Sequence, residues 1–298
     1  ARPIARSELK ETKLPIVSPG LTLLYSPPPG LFDAEGSFVG SGFGNPMAQS
    51  VINILVVNSK GGCGKTTVAT NLAAAYANEG KQVALFDFDR QASAQHWAGA
   101  RGLDLPNIDL YHRPDPAKID HDAMGHYDIC VFDSGPGIAT QPTLHAEFEA
   151  LLRLSDVIVV PMLSSAWDIQ AGEHFITQLM TQRVWRAAPR PIAVVGNRIS
   201  GNLAGQQKLQ HFLSCLDVPA VSQFRESPVY AEAGDSGQGI VEMKRNRAAR
   251  KEFKAWYTLT GWIDEATLIA TSKRLPAMPL AASRADRLTG DDATTERA

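Results

Sequence analysis

The chain has 298 residues, 44% of them apolar, and a formal net charge of −2, which is enough to bury the core of one large domain or two small ones. So even a balance excludes a global field that would draw the protein onto nucleic acid or membrane, and leaves any polyanion binding to a local patch. Cys63, Cys130 and Cys215 stand far apart with no Cys-x-x-Cys pair, which argues against zinc or iron–sulfur chemistry and for reduced, buried thiols.

Residues 1–49 read as a flexible N-terminal extension. They carry Ser26-Pro27-Pro28-Pro29-Gly30 and a Gly/Ser-rich stretch from Gly36 to Gly44, with little periodic apolar character to bury. A single domain is expected over 50–262. Within it the apolar runs Val51–Val57, Val83–Phe86, Ile129–Phe132, Val157–Met162, Ile192–Val195 and Val218–Val221 read as strands. Helices are expected over Thr66–Asn78, with Gly80 as its C-terminal cap glycine, then Pro142–Leu154, Ile169–Arg186, Leu203–Leu216 and Met243–Thr258. Strands that are apolar throughout and separated by helices predict an α/β fold, a mainly parallel twisted sheet flanked by helices on both faces. Residues 263–298 read as a second flexible tail. There is no apolar run of about 18 residues and no signal-like N-terminus, so the protein is expected to be cytoplasmic.

The segment Lys60-Gly61-Gly62-Cys63-Gly64-Lys65-Thr66-Thr67 lies between the first strand and the first helix. That context suits a phosphate-binding loop: glycines let backbone N–H groups close around phosphate oxygens, and the helix start adds its positive dipole end. Lys65 is placed to reach the β/γ-phosphates and Thr66 to sit on Mg²⁺. The usual opening glycine is replaced by Ser59, and a second lysine, Lys60, begins the loop.

Three further strand ends carry polar residues. Asp87 and Asp89 follow the second strand, where alternation predicts that both lie on one side, facing the loop. One would position the attacking water and the other would hold Mg²⁺; alone, such a pair is equally a solvated loop. Asp133 closes the run Ile129–Phe132 and precedes Ser134-Gly135-Pro136-Gly137, the place of a Mg²⁺-binding Walker B carboxylate. Asn197, followed by Arg198, ends another strand. Its amide suits the edge of adenine, although a strand-end Asn is also a common turn former.

Together these pieces resemble the ParA/MinD family of deviant Walker A ATPases, and more closely its ParA branch. The resemblance covers roughly residues 50–255. It rests on Lys60–Thr67, on Asp87-Phe88-Asp89-Arg90-Gln91, on Asp133 with Ser-Gly-Pro, on Asn197-Arg198, and on Phe224–Ala233 with Gly239. Two departures are Arg90, where the family has proline, and Ser134-Gly135-Pro136-Gly137, where Thr-Pro-Pro is common.

The resemblance implies an ATPase using ATP and Mg²⁺, with Lys60, Lys65 and Asp89 in catalytic roles. Lys60 to Thr67, Asn197 and Arg198 would contact nucleotide, and Thr66, Asp87 and Asp133 would serve the metal. It implies a homodimer in the ATP state in which Lys60 reaches across to the partner's nucleotide, nonspecific binding of double-stranded DNA, nucleoid association when ATP-bound, and a small adaptor protein that stimulates hydrolysis. Candidate DNA contacts are Lys244, Arg245, Arg247, Arg250 and Lys251, of which Arg247, Arg250 and Lys251 are expected to share a helix face with Lys244 preceding them at the same spacing, with Arg225 as a further one; a solvated face balanced by Glu242 and Glu252 is the plainer reading. A MinD-like membrane cycle is the alternative. It would need an amphipathic terminal helix, for which Glu265–Leu275 is the only segment, cut short by Pro276 and Pro279. A metal-cluster carrier on the same fold would need paired cysteines, which the positions of Cys63 and Cys130 do not supply.

Overall fold

A computed structural model describes residues 51–119, 124–139, 141–199 and 218–274, together with 207, 211, 213 and 214. The expected N-terminal extension lies outside these residues, as does the C-terminal tail from 275. The expected helix over Leu203–Leu216 also falls largely outside them, and its four described residues are helical.

Seven strands form one all-parallel sheet in the order β3-β2-β4-β1-β5-β6-β7. They are β1 (Ile52–Val56), β2 (Val83–Asp87), β3 (Asp109–His112), β4 (Ile129–Asp133), β5 (Val157–Met162), β6 (Ile192–Ile199) and β7 (Ala220–Arg225). Alternate residues of the inner strands feed two separate cores. Ile54, Val56, Leu85 and Val131 point to one face, where α1 (Lys65–Asn78) packs with Trp256, Leu259 and Ile263 of the last helix. Leu55, Ala84, Phe132 and Val160 point to the other, against α3 (His145–Leu154) and α4 (Ala166–Thr181). This two-faced burial is why the strands read as continuous apolar runs, and the expected fold class is the one found.

Helix α1 ends as its sequence predicts. Gly80 takes φ +84°, Gly80 N–H donates to the Ala77 carbonyl and Lys81 N–H to the Tyr76 carbonyl, a left-handed cap that satisfies the last carbonyls.

Three elements carry no clear sequence signal: α2 (Ser93–Ala100), the edge strand β3, which is largely exposed, and α6 (Val229–Asp235). Helix α5 (Arg183–Ala187) follows α4 after a break at Gln182, so the single helix expected over Ile169–Arg186 is two.

The C-terminal region differs most. The helix expected over Met243–Thr258 is replaced by a 3₁₀ turn at Ile240–Glu242, a single turn α7 (Arg247–Arg250), and a long helix α8 (Phe253–Arg274). Asn246 is the reason. Its side-chain oxygen accepts the N–H groups of Ala248 and Ala249 at 2.8 and 3.2 Å, so it starts a helix rather than continuing one. Helix α8 also runs well past the expected boundary at 262, because Ile263 is fully buried and Thr267 nearly so. Glu265 through Arg274, weighed above as a membrane-binding tail, is therefore the end of a helix packed on the core. No helix among the described residues is long and apolar enough to cross a membrane.

Candidate nucleotide site and cationic surface

Parallel register brings the chemistry together. Val56, Asp133 and Asp87 are direct partners across β1, β4 and β2, so both aspartates stand side by side at the carboxyl edge of the sheet, on the face that carries α1. The loop from Asn58 to Gly64 rises from the same edge of β1. The N–H of Ser134 donates to the Val56 carbonyl at 3.2 Å and that of Gly137 to the Ser59 carbonyl at 3.0 Å, so the segment after Asp133 is tied to the start of the loop.

The loop holds itself in a cradle. Asn58 Oδ1 accepts the Lys60 N–H at 3.1 Å while its Nδ2 donates to the Pro161 carbonyl at 2.8 Å. Lys65 Nζ and Cys63 Sγ both donate to the Lys60 carbonyl, at 3.1 and 3.3 Å. Gly64 takes φ +94° at the head of α1, a conformation that only glycine adopts at little cost. No side chain caps α1 and no acidic residue sits in its first turn, so the N–H groups of that turn stay available to an anion. Cys63 is buried and its thiol is pushed up by that burial, which makes it a packing residue rather than a nucleophile.

Asp133 is fully buried, and neither of its oxygens has a hydrogen-bond partner among the described residues. Loss of solvation, reinforced by Asp87, pushes its carboxyl up to about 8, with the Thr66 hydroxyl and the Lys65 ammonium nearby drawing it back. Asp87 is likewise fully buried and raised by loss of solvation. Its Oδ1 accepts the Asp89 N–H at 2.9 Å, its Oδ2 lies 3.7 Å from His112 Nδ1, and that oxygen has no hydrogen bond. Orphaned carboxylate oxygens beside a threonine hydroxyl are costly unless a cation meets them. The donor set, two carboxylates and a hydroxyl next to a phosphate cradle, fits Mg²⁺, which completes its shell with water and phosphate oxygens.

Asp89 does not continue the alternation. The strand stops at Asp87, and Asp89 opens a turn, with Oδ1 accepting the Gln91 N–H at 2.9 Å. It remains close enough to Asp133 to raise it. Its backbone abuts Gly135, where an added Cβ would lie 3.2 Å from the Phe88 carbonyl oxygen.

Asn197 is nearly buried and spends its amide on the protein. Nδ2 donates to the Cys63 carbonyl at 2.9 Å, and Oδ1 accepts the Arg198 N–H at 3.0 Å. It braces the phosphate loop, which the sequence reading, aimed at adenine, did not foresee. Arg198 is exposed, with a left-handed φ of +49°.

Lys60 is held within the chain. Its ammonium pairs with Asp168 in the first turn of α4, and Ser165, the N-cap of that helix, also donates to Asp168. Ser165 and Asp168 escaped the sequence reading because the helix was expected to begin at Ile169. The signal was present: Ser-x-x-Asp before an apolar run marks a helix start.

The cationic candidates are scattered over a turn, a one-turn helix and the residue after it. Lys244, Arg245, Arg247, Arg250 and Lys251 are all exposed, and none is ion-paired with a described residue. Lys254, one turn further on, is exposed as well. Arg225 stands apart: its Nε meets Glu252 Oε1 at 2.6 Å and its Nη2 the Lys251 carbonyl at 2.7 Å. Glu252 is buried, so that arginine is committed to neutralising it. The balancing role expected of Glu252 therefore falls on Arg225, and Glu242 pairs with Arg101 at 2.6 Å.

Residues 54–240 match the profile of the CobQ/CobB/MinD/ParA nucleotide binding domain. The chain belongs to that family. It is 29% identical over 211 residues to maintenance of carboxysome distribution protein A of Halothiobacillus neapolitanus, covering 69% of this chain and 94% of that one. It is 55% identical over 168 residues to protein virC1 of Rhizobium radiobacter, covering 53% and 70%. Its fold matches the apo McdA structure from Cyanothece with a TM-score of 0.57 at 16% identity, over 72% of this chain and 99% of that one; at that identity the likeness speaks for the fold alone.

Proposed function

We propose that the chain is a ParA-type positioning ATPase, which dimerises on ATP, binds DNA without sequence preference, and releases it after hydrolysis stimulated by an adaptor. The observation that carries the nucleotide part is the buried Asp133, its oxygens orphaned beside Thr66, Lys65 and Asp87. Thr66, Asp87 and Asp133 would hold Mg²⁺, which when bound neutralises charge on the phosphate oxygens. Lys60 to Thr67 supply backbone donors to the phosphates and Lys65 a cation in cis. Asp89, in its turn beside Gly135, orients the attacking water. Lys60 leaves Asp168 to place a cation on the partner subunit's nucleotide, a contribution of the kind made by an arginine finger, roughly 10³–10⁵ in rate.

The positioning role rests on the family and on the relative named for carboxysome distribution. DNA binding rests on the run of unpaired cations from Lys244 to Lys251, with Arg225 a weaker contributor. Exposed cations gathered in one segment follow phosphates and read no bases.

The test is phosphate release together with DNA binding in ATP, ADP and no nucleotide at two salt concentrations. About four neutralised phosphates predict a roughly hundredfold loss of affinity between about 50 and 200 mM salt. Above about pH 8, where Asp133 ionises in the folded chain, Asp133→Asn removes a buried charge without a partner, so there it should raise the melting temperature of the nucleotide-free protein and shrink the further rise given by Mg-ATP. An equal rise with Mg-ATP in both proteins would remove Asp133 from the metal site. Turnover without any ATP dependence of DNA binding would leave an ATPase and refute the positioning cycle.

A further inference from the structure

A cavity of about 590 Å³ opens beyond the carboxyl ends of β2, β3 and β4. Residues 88–91 with Gly135 and Pro136 form one wall, residues 113–117 after β3 form a second, and the start of α3 forms a third. That volume is the size of a small-molecule site.

The charges around it are unevenly answered. Asp115 Oδ1 accepts the Ala117 N–H at 3.1 Å, and its Oδ2 lies 3.3 Å from Lys118 Nζ. Asp89 is engaged by its own turn. Arg90, Arg113 and Glu147 have no ion-pair partner among the described residues. Glu147 is half-buried; that burial pushes its carboxyl up, Arg90 and Arg113 draw it back, and Asp115 adds to the rise. Both guanidiniums are thus near Glu147, yet neither closes on it, and all three groups line the same space. Arg113 is fixed there by its backbone. Its N–H donates to the Asp87 carbonyl at 2.7 Å and its φ is +47°, a left-handed conformation that costs a non-glycine residue about 1–2 kcal/mol.

The unpaired groups, two guanidiniums against one carboxylate, leave the cavity net positive. Between them the wall is apolar, made by Pro114, Pro116, Ile138 and Leu144. A few converging polar groups in an apolar hollow fix a ligand by its head and hold its body. Paired guanidiniums match an oxyanion, which accepts several of their N–H groups at once.

We infer that this cavity binds a small organic oxyanion, a phosphate or carboxylate on an apolar body, with Arg90 and Arg113 as the clamp. The site is separate from the phosphate loop but shares a wall with it. Pro136 lines the cavity, and its Cβ lies 3.9 Å from where a Cβ on Gly61 would stand. Gly135 lines it too, and a Cβ there would lie 3.2 Å from the Phe88 carbonyl oxygen and 3.6 Å from the Asp89 Cα. A ligand therefore touches the back of the turn that carries Asp89. On the ATPase reading proposed above, its presence sets the position of Asp89 and with it the rate of hydrolysis.

The test first fills the phosphate loop of the full chain with Mg-ADP. Phenyl phosphate, benzoate, inorganic phosphate and phenol are then titrated by calorimetry. Phenyl phosphate or benzoate should bind once per chain, at least about tenfold more tightly than inorganic phosphate or phenol, and at least about tenfold more weakly in Arg90→Ala/Arg113→Ala. The better of the two anions tells a phosphate head from a carboxylate. Both arginines are exposed, so the fold survives their removal. Phenylglyoxal modification read by mass spectrometry places the site: the bound anion should protect Arg90 and Arg113 and leave the exposed Arg198 reactive. The inference is overturned if neither aromatic anion binds, if the double variant binds them as well as the parent, or if the two arginines stay reactive. Phosphate release from Mg-ATP under a saturating anion should then change at least about twofold in the parent and not in the double variant. Binding with an unchanged rate overturns the link to Asp89 while the ATPase stands. No turnover in the parent under any condition refutes the ATPase reading and leaves the anion site to the binding result.

Discussion

Lys60 has two jobs that exclude each other: it is paired with Asp168 inside its own protomer, and the proposed dimer needs it on the partner's nucleotide. The ion pair is therefore a latch whose strength opposes dimerisation. The Lys60 side chain is 40% exposed and that of Asp168 10%, so solvent screens the pair and about 0.5–1 kcal/mol is a fair value for it. Two latches open per dimer, which amounts to about 1–2 kcal/mol, or roughly 5–30-fold in the dimer dissociation constant. Asp168→Asn removes the charge and leaves the start of α4 capped, because Ser165 Oγ accepts the backbone N–H of residue 168 at 3.3 Å. The variant should dimerise with the ATP analogue about 5–30-fold more tightly, read by sedimentation at a series of concentrations, with nucleotide binding to the monomer unchanged. A dimer constant equal to that of the parent chain would show that the pair never opens. A weaker dimer would show that Asp168 itself meets the partner.

Two further substitutions test other parts of the structure. Gly64→Ala forces a Cβ to within 1.9 Å of Asn197 Nδ2 and keeps φ at +94°. The left-handed backbone costs about 1–2 kcal/mol and the displaced bond to the Cys63 carbonyl about 1 more, a loss seen as a lower denaturation midpoint. Adding Asn197→Ala should relieve the clash but not the backbone cost, so the double variant is less destabilised than the sum of the singles. The second substitution is Glu79→Gln. Burial and the nearby Asp264 raise Glu79 to about 7, with Lys81 drawing it back, and burial raises Asp264 to about 6 against its bond from Tyr76. Both carboxyls bind their protons more tightly folded than unfolded, so stability falls as pH rises from about 4.5 to about 7 and stays low above that. Glu79→Gln should flatten this fall and stabilise the protein at pH 8 by up to a few kcal/mol, measured by denaturant titration across pH. A parallel fall in both proteins would refute it.

The candidate site's placement at one sheet edge was legible in the sequence because its parts are local or fixed by register. A phosphate loop is a contiguous segment, and an Asp that closes an apolar run of a parallel sheet must reach the carboxyl edge. What the sequence hid were the partners that only tertiary packing supplies. Asn197 looked like a base contact because its amide is versatile, yet a neighbour 134 residues away in the chain takes its Nδ2. Asp89 broke the alternation because strand geometry ends where ladder bonds end, and nothing in Phe88-Asp89-Arg90 announces a turn. The edge strand β3 was missed since one exposed side removes the apolar run that marks its inner neighbours.

The cationic segment shows the same limit from the other direction. Spacing alone placed Arg247, Arg250 and Lys251 on one helical face with Lys244 before them, but the backbone there is already committed. Asn71 Oδ1 takes the Ile240 N–H at 2.7 Å, Trp97 Nε1 donates to the Gln238 carbonyl at 3.1 Å, and the buried Arg101 grips Glu242 through both Nη atoms at 2.9 and 2.6 Å. Residues 238–242 are pinned to α1 and to the end of α2, and no helix can start until Asn246 caps one. Asn71 lies one turn beyond Thr67 on the helix that carries the phosphate loop, and its Nδ2 donates to the Thr67 carbonyl at 2.8 Å. The exposed cations therefore sit where they do because the segment before them is fastened to the same helix that opens on the phosphate cradle.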